Sequence, residues 1–348
     1  MGRKVLVNTS SGEYTVMIDK DINIGNELKT IHSPCHILVV SDDTVFDLYG
    51  EKIVVSLTAA GFKVDRFVFE HGEKSKNIHV AEQILEYAGS IALTRSDLML
   101  ALGGGVVGDI TGFCAAIFLR GIDFVQVPTT VLSAVDSSVG GKTAIDLAAG
   151  KNLAGAFHQP IAVYLDTETF ASLPQRTFNE GLAEAVKYGM IMDSELLPYF
   201  EADELNMDTI CYMCIRDKAQ IVHEDEFDLG IRRILNFGHT PGHAIEKLSN
   251  FAVTHGEAVA MGMIIMTEVS EKKGFIPEGS TDRFKAILEK HDLLLSCDYS
   301  TKEMAQASLV DKKRISDTLG IVLLKNIGEA FIHTINVNEL EDYYKLGL

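Results

Sequence analysis

An α/β N-terminal domain followed by a mainly α-helical C-terminal domain is the fold class the sequence predicts, on three observations. The first half alternates short apolar runs with amphipathic stretches. A glycine-rich turn, LALGGGVVGD (Leu100–Asp109), sits between a strand-like run and a helical one. After about Leu173 helical spacing takes over. Alternation with short connections implies a parallel sheet covered on both faces, of Rossmann-like type. The domains are expected at 1–172 and 173–348.

The elements follow in order. KVLVNTSSGEYTVMI reads as an N-terminal antiparallel hairpin, and HILVVSD (His36–Asp42) as a buried strand. TVFDLYGEKIVVSLTAAG has helical spacing with a stop at Gly61. KVDRFVFE is the next strand, and SKNIHVAEQILEYAGS the next helix, with Ser75 as its expected N-cap. DLMLALGGG is a strand, VVGDITGFCAAIF a helix and DFVQVPTT a strand. The second half carries NEGLAEAVKYGMIM, a Met- and Cys-bearing helix near 208–223, a helix from Pro241 and a long one from His255. GIVLLKNIGEAFIHTI (Gly320–Ile335) reads as a short hairpin. There is no internal repeat and no low-complexity linker. The domains are therefore expected to pack closely, with a ligand at their junction.

At 348 residues and 47% hydrophobic, the chain has material for two cores. A net charge of -18 argues against nucleic acid or an anionic membrane as partner. It leaves room for a small anionic substrate, because a few lysines suffice to line one pocket. No stretch approaches 18 uncharged apolar residues, so no membrane span is expected. Five cysteines (Cys35, Cys114, Cys211, Cys214, Cys297) and no apolar leader suggest free thiols in a reducing cytoplasm. Cys211 and Cys214 form a lone CxxC, read more simply as one buried helical face than as a redox or zinc site.

The glycine turn has the logic of a nucleotide-phosphate cradle. Glycines admit a ligand close to the backbone, and the N–H groups of a helix start attract phosphate. The turn is not GxGxxG, and a triple glycine also serves as a plain tight turn. Asp42 ends the first strand of this sheet, where an acid suits a ribose hydroxyl or a helix cap. GGKT (Gly140–Thr143) is not a P-loop, because the glycine required five residues before Gly141 is Asp136.

Glu184, His239 and His255 lie in EGLAEAVKYG, LNFGHTPGHAIE and THGEAVAMGM. A carboxylate with two imidazoles is the ligand set of an open catalytic site of zinc type. Each residue alone reads as a surface polar group or a cap; the three together point to metal. HTPGH is not HExxH. Thr240 is the expected N-cap with Pro241 at the first helical position, which leaves His239 just outside the helix and His243 in its first turn. Thr254 and Glu257 spell a capping box, so His255 opens the next helix. The dipole at both helix starts is expected to lower the imidazole pKa values. Glu184, Lys187 and Tyr188 share one helical face. VPTTVLSAVDSSVGGKTAIDLAAGKN (Val127–Asn152) adds Asp136, Lys142, Lys151 and Asn152. Arg232 and DKKR (Asp311–Arg314) follow later. These charges read as solvated surface or as a phosphate pocket.

These segments, in this order, resemble the 3-dehydroquinate synthase family. The likeness runs through SDDTV, GEKSKN, GGGVVGD, FLRG, VPTTVLSAVDSSVGGKTAID, GKNLAGAFHQP, EGLAEAVKYG, DEFDLGIRRILNFGHTPGHAIE, THGEAVAMGM and DKK, from roughly Ser41 to Lys313. The ends match less distinctly, and Leu119 stands where relatives often carry Tyr or Met. The resemblance implies zinc or cobalt on Glu184, His239 and His255. It implies an NAD site lined by Asp42, Glu73, Lys76, Gly104, Gly105, Val106, Asp109, Thr129, Thr130, Lys142, Lys151 and Ser172. Asp136, Lys142, Asn152, Lys187, Arg232, Asn236, His243 and Lys312 would face substrate. Arg120 would reach the phosphate of a neighbouring subunit's substrate, so a homodimer is expected.

The chemistry so implied converts 3-deoxy-D-arabino-heptulosonate 7-phosphate, a small anionic sugar phosphate, to 3-dehydroquinate and phosphate. NAD transiently oxidises the C5 hydroxyl, phosphate leaves by β-elimination, the same cofactor restores C5, and an aldol step closes the ring. Sugar-phosphate cyclases and metal-dependent polyol dehydrogenases share the fold; a dehydrogenase of a neutral polyol would not need the lysine set. A catalytically silent NAD-binding module is the non-enzymatic alternative.

Overall fold

The computed structural model describes residues 2–293, 298–309 and 317–348. Strands are β1 (Arg3–Thr9), β2 (Gly12–Asp19), β3 (His36–Asp42), β4 (Lys63–Phe69), β5 (Leu98–Gly103), β6 (Asp123–Pro128), β7 (Lys142–Leu147), β8 (Gly150–Phe157), β9 (Ala162–Asp166), β10 (Thr318–Asn326) and β11 (Glu329–Asn336). The longer helices are α1 (Ile24–Ile31), α2 (Glu51–Ala59), α3 (Ile78–Ser90), α4 (Gly105–Ile117), α5 (Gln175–Ile191), α6 (Met207–Glu224), α7 (His239–Leu248), α8 (His255–Lys272), α9 (Ser280–Lys290), α10 (Thr301–Leu309) and α11 (Leu340–Gly347). Among the described residues no helix is long and apolar enough to cross a membrane.

Two compact units emerge. The first comprises Met1–Leu173 with Met207–Phe227, the second Pro174–Asn206 with Asp228–Leu348. A single cut after residue 172 does not describe this, because α6 returns to the first unit. Arg3 Nη2 donates to Thr209 Oγ1 at 3.0 Å, and the Arg3 guanidinium lies 4.9 Å from the centre of the Tyr212 ring. Cys211 and Cys214 are fully buried on this helix, and burial pushes the Cys211 thiol well above its usual range. A thiol held protonated is a poor nucleophile and metal ligand.

The first unit is built on a seven-stranded sheet in the order β1-β2-β9-β6-β5-β3-β4. β1 and β2 form the expected antiparallel hairpin, and β2 pairs parallel with β9, as do the remaining neighbours with one another. The interior strand β5 is buried at every position. Ile37 and Val39 join one core with Leu28, Ile53 and Leu57; Leu38 and Val40 join the other with Ile84, Ile110 and Cys114. This alternation is what a sheet covered on both faces requires. The cap of α3 is Asn77, whose side chain accepts from His79 and Val80 N–H. Ser75, the expected cap, instead lies in a 3-10 turn and donates to Glu70 O. β7 and β8 form a separate antiparallel hairpin that the sequence reading did not foresee.

In the second unit, α5 is buried over almost its whole length from Asn179 to Ile191. It is the helix around which the unit is built. The β10–β11 hairpin forms where expected. Leu324 N–H donates to Ser270 Oγ on α8, and Gly328 N–H to Met190 O on α5.

Candidate active site

The candidate ligand trio assembles within the second unit, from α5, α7 and α8. His239 Nε2 lies 3.6 Å from Glu184 Oε1, and His255 Nε2 3.4 Å from the same atom. One donor from each residue lies within 4.8 Å of the others. A tetrahedral ion with bonds of about 2.0–2.2 Å sets its donors about 3.3–3.6 Å apart, so the spacing fits. Glu184 Oε1 is buried and accepts no hydrogen bond among the described residues, an orphan acceptor that a cation would satisfy. Lys187, itself buried, donates to the other oxygen, Oε2.

Glycines bring the three helices this close. A Cβ on Gly262 of α8 would stand 2.0 Å from Gly238 O, at the start of α7. A Cβ on Gly256 would stand 2.4 Å from Glu180 O, one turn before Glu184 on α5. Neither position admits a side chain, so backbone packs on backbone beside His239, His255 and Glu184. His239 is the first residue of α7, behind a left-handed Gly238, and does not lie outside the helix. The capping box forms, with Thr254 N–H donating to Glu257 Oε2 at 3.0 Å.

His239 Nδ1 lies 3.1 Å from Phe237 O. A carbonyl only accepts, so Nδ1 carries the hydrogen and Nε2 keeps its lone pair. Burial, aided by Lys187, pulls His239 down to about 3, against the pull of Glu184. His255 departs from the expected lowering. Burial works in that direction, but the neighbouring carboxylates of Glu184 and Glu246 outweigh it and push the ring up to about 10. Burial likewise opposes charge on Glu184, yet Lys187, His239 and His255 hold it well below the usual carboxylate range. The pocket is thus arranged for an ionised carboxylate.

Three further candidates share this unit. Arg232 is buried, 2% exposed, in the 3-10 turn Ile231–Asn236, which Asn236 ends. The His243 ring centre lies 5.4 Å from that of His239 and 6.0 Å from that of His255. Lys312 and its neighbour Lys313 lie outside the described residues. Glu246, absent from the sequence reading, is buried with Oε2 3.5 Å from His255 Nδ1. Its signal was its place one turn beyond His243 on the same helix.

In the first unit the glycine turn lies at the carboxyl end of β5, beside β3. Strand order reverses between these two strands, since β4 flanks β3 on one side and β5 on the other. Open α/β sheets bind ligands outside the carboxyl ends at such a point. Gly104 caps α4, and Gly105 and Val106 form its first turn. A Cβ on Gly104 would stand 3.1 Å from Thr130 Cγ2, and Thr129 N–H donates to Gly103 O at 3.1 Å. Glycines, bare helix-start amides and the switch point together fit a dinucleotide phosphate. Asp42 ends β3 and caps the next turn, its Oδ1 accepting from Val45 N–H at 2.8 Å. Ser172 Oγ accepts from Tyr49 Oη at 2.6 Å.

Buried Lys76 joins two of the candidates. Its Nζ lies 2.5 Å from Asp109 Oδ2 and donates to Asn152 Oδ1 at 2.5 Å. Burial pushes Asp109 up to about 6, with Lys76 opposing and Glu73 and Asp136 adding to the rise. Asp136 accepts from buried Lys218 Nζ at 2.6 Å. The sequence reading passed over Lys218 because a lysine inside an α6 pattern looks like a solvated face. Lys142 opens β7, whereas Lys151 and Asn152 stand near the β7–β8 turn, five residues along the strand and about 16 Å away. Arg120 is exposed with φ 72°, beyond the far end of α4; the helix of 13 residues puts about 20 Å between it and the glycine turn.

The sequence matches two family models, described as 3-dehydroquinate synthase N-terminal over residues 66–180 and 3-dehydroquinate synthase C-terminal over residues 181–314. The chain belongs to the 3-dehydroquinate synthase family. Within that family it is 42% identical to the 3-dehydroquinate synthase of Clostridium acetobutylicum, covering 96% of each chain. It is 40% identical to that of Streptococcus gordonii, covering 98% of this chain and 99% of the relative. The fold of this 3-dehydroquinate synthase family member is shared with 2-deoxy-scyllo-inosose synthase, solved with carbaglucose-6-phosphate, NAD+ and Co2+. The TM-score is 0.86 at 24% identity, over 99% of this chain and 100% of the other. It is also shared with the 2-epi-5-epi-valiolone synthase of Streptomyces hygroscopicus, solved with NAD+ and Zn2+, at TM-score 0.87 and 23% identity over 96% of both chains.

Proposed function

We propose that the chain catalyses the 3-dehydroquinate synthase reaction, from 3-deoxy-D-arabino-heptulosonate 7-phosphate to 3-dehydroquinate and phosphate. The observation that carries this reading is the convergence of Glu184, His239 and His255 on one point, in a chain 40–42% identical to curated 3-dehydroquinate synthases. When bound, a divalent zinc or cobalt ion polarises neighbouring hydroxyls, and NAD takes up and returns one hydride.

The chain's own residues take the following roles. Glu184, His239 and His255 hold the metal. Gly104, Gly105 and Val106 receive the NAD phosphates, and Asp42 the ribose. Lys142, Lys187 and Arg232 hold the carboxylate and phosphate of the substrate in one pose, which lowers the entropic cost of several steps. Asp136, Asn152 and Asn236 accept from or donate to its hydroxyls, with buried Lys218 Nζ donating to Asp136 Oδ1. His243, beside both ligand imidazoles, relays the C5 hydroxyl proton. Arg120, remote from this chain's own glycine turn, serves the phosphate bound to a second copy, so the proposal includes a homodimer. A cytoplasmic location rests on the free thiols of Cys35, Cys114, Cys211 and Cys214.

The test is incubation of the purified protein with the heptulosonate phosphate, NAD and zinc, followed by product identification. 3-Dehydroquinate with one equivalent of phosphate is the expected result. An oxidised substrate that keeps its phosphate would place the chain with the polyol dehydrogenases.

A further inference from the structure

A second carboxylate stands behind the ligand trio. Glu246 lies on α7 seven residues, two helical turns, beyond His239, and is buried to 6% exposure. Its Oε2 is 3.5 Å from His255 Nδ1, while His255 Nε2 faces Glu184. One helix thus carries a ligand at its start and, near its end, a group that reaches the ligand on the next helix.

The connection between the two helices is shaped for this. Phe251 N–H donates to Glu246 O at 2.8 Å, and Ser249 Oγ donates to the same carbonyl at 2.9 Å. Asn250 and Phe251 both adopt left-handed backbone, with φ 52° and 62°. Non-glycine residues in this region carry strain that surrounding contacts must support. The sharp reversal returns the chain so that the Thr254–Glu257 capping box starts α8 with His255 facing α7.

Glu246 also fits geometrically in a second trio with His243 and His255. Two observations argue against its being a ligand itself. His243 is exposed in that set, and His255 would have to bind through Nδ1, leaving the buried Glu184 Oε1 without a cation. We propose that Glu246 is a positioning residue. It accepts a hydrogen bond from His255 Nδ1–H, which fixes the tautomer and aims the Nε2 lone pair at the point shared with Glu184 and His239. This rests on the metal reading of that trio, and the experiment separates the two.

Zinc affinity of the metal-free protein is measured by competition with a chelating dye for wild type, Glu246→Ala, Glu246→Gln and Glu184→Ala. Outer carboxylates behind metal-bound histidines change affinity by about 10–100-fold. Glu246→Ala should weaken zinc binding within that range, and Glu246→Gln, whose amide oxygen still accepts from Nδ1–H, should recover most of it. Melting curves of the metal-free proteins show whether each variant folds, and Glu246→Met, which fills the space without an acceptor, takes the place of alanine if that variant does not. Wild-type affinity in Glu246→Ala would overturn the proposal, as would a loss as complete as in Glu184→Ala, which would make Glu246 a ligand. Wild-type protein that binds no zinc would overturn the metal reading itself.

Discussion

Glu184 Oε1 stands 3.4 Å from His255 Nε2, between helices α5 and α8 that are far apart in the chain. The carboxylate keeps its charge although buried, and its second oxygen is held by Lys187. Glu184→Ala and His255→Ala are therefore expected to lose bound metal and turnover together. Chelation should abolish activity while circular dichroism shows the helices intact, because α5, α7 and α8 have apolar faces of their own. Full metal content in both variants, or full turnover after chelation, would contradict the assignment.

Packing beside Glu184, His239 and His255 should be as sensitive as those residues themselves. Gly262→Ala places a methyl 2.0 Å from Gly238 O, and Gly256→Ala one 2.4 Å from Glu180 O. Both clashes are with backbone, which cannot swing aside. Each variant should lose about 1–3 kcal/mol of stability and bind metal more weakly. Denaturant melts with metal titration check this; unchanged midpoints would mean that the helices separate without cost.

Much of this architecture was legible in the chain, and the failures have physical causes. Strand–helix alternation marked the parallel strands, and two of the three antiparallel hairpins among the described residues, β1–β2 and β10–β11, stand where the sequence places hairpins. β7–β8 was missed because its outer strand is largely exposed and its glycines and charges resemble a loop. The assignment of α6 to the second unit failed because sequence order carries no record of Arg3 reaching Thr209. Of the site, Glu184, His239 and His255 were legible through residue type and glycine context. Glu246 and Lys218 were not, since a charged residue on a helix reads as surface until its partner is known. The His255 shift escaped the dipole argument for the same reason, as two carboxylates near the ring outweigh a helix end.

Substrate and cofactor contacts should separate by mutation. Lys142→Ala and Arg232→Ala are expected to lower kcat/KM by about 10- to 150-fold, from one charge-assisted bond of about 1.5–3 kcal/mol. Their NAD affinity should stay near wild type. Gly104→Ala, with its Cβ 3.1 Å from Thr130 Cγ2, and Asp109→Ala should weaken NAD binding first. Calorimetric NAD titration beside steady-state kinetics distinguishes the patterns. Near-normal turnover in Lys142→Ala and Arg232→Ala would mean that those charges do not meet substrate.

The Lys76–Asp109 pair sets a pH dependence. Asp109 stands at about 6, above its ordinary 3.8, because burial outweighs Lys76. A raised carboxyl contributes stability fully below about pH 4 and loses it as pH rises through about 6. Lys76→Met removes the opposing cation and drives Asp109 higher still. The stability deficit of that variant should therefore widen between pH 5 and pH 8 in thermal melts. A gap that stays constant would show that the two groups do not interact.

The central claim is that NAD serves this chain as a recycled cofactor and not as a co-substrate. A metal trio, a dinucleotide-type turn and cationic groups suit a hydroxylated, anionic substrate that loses phosphate only while its neighbouring carbon is oxidised. The direct measurement supplies NAD well below the heptulosonate phosphate and follows phosphate and 340 nm absorbance together. The account predicts one phosphate per substrate consumed, many turnovers per NAD and no lasting rise in NADH. NADH accumulating one-for-one with product would contradict it and make the chain a dehydrogenase.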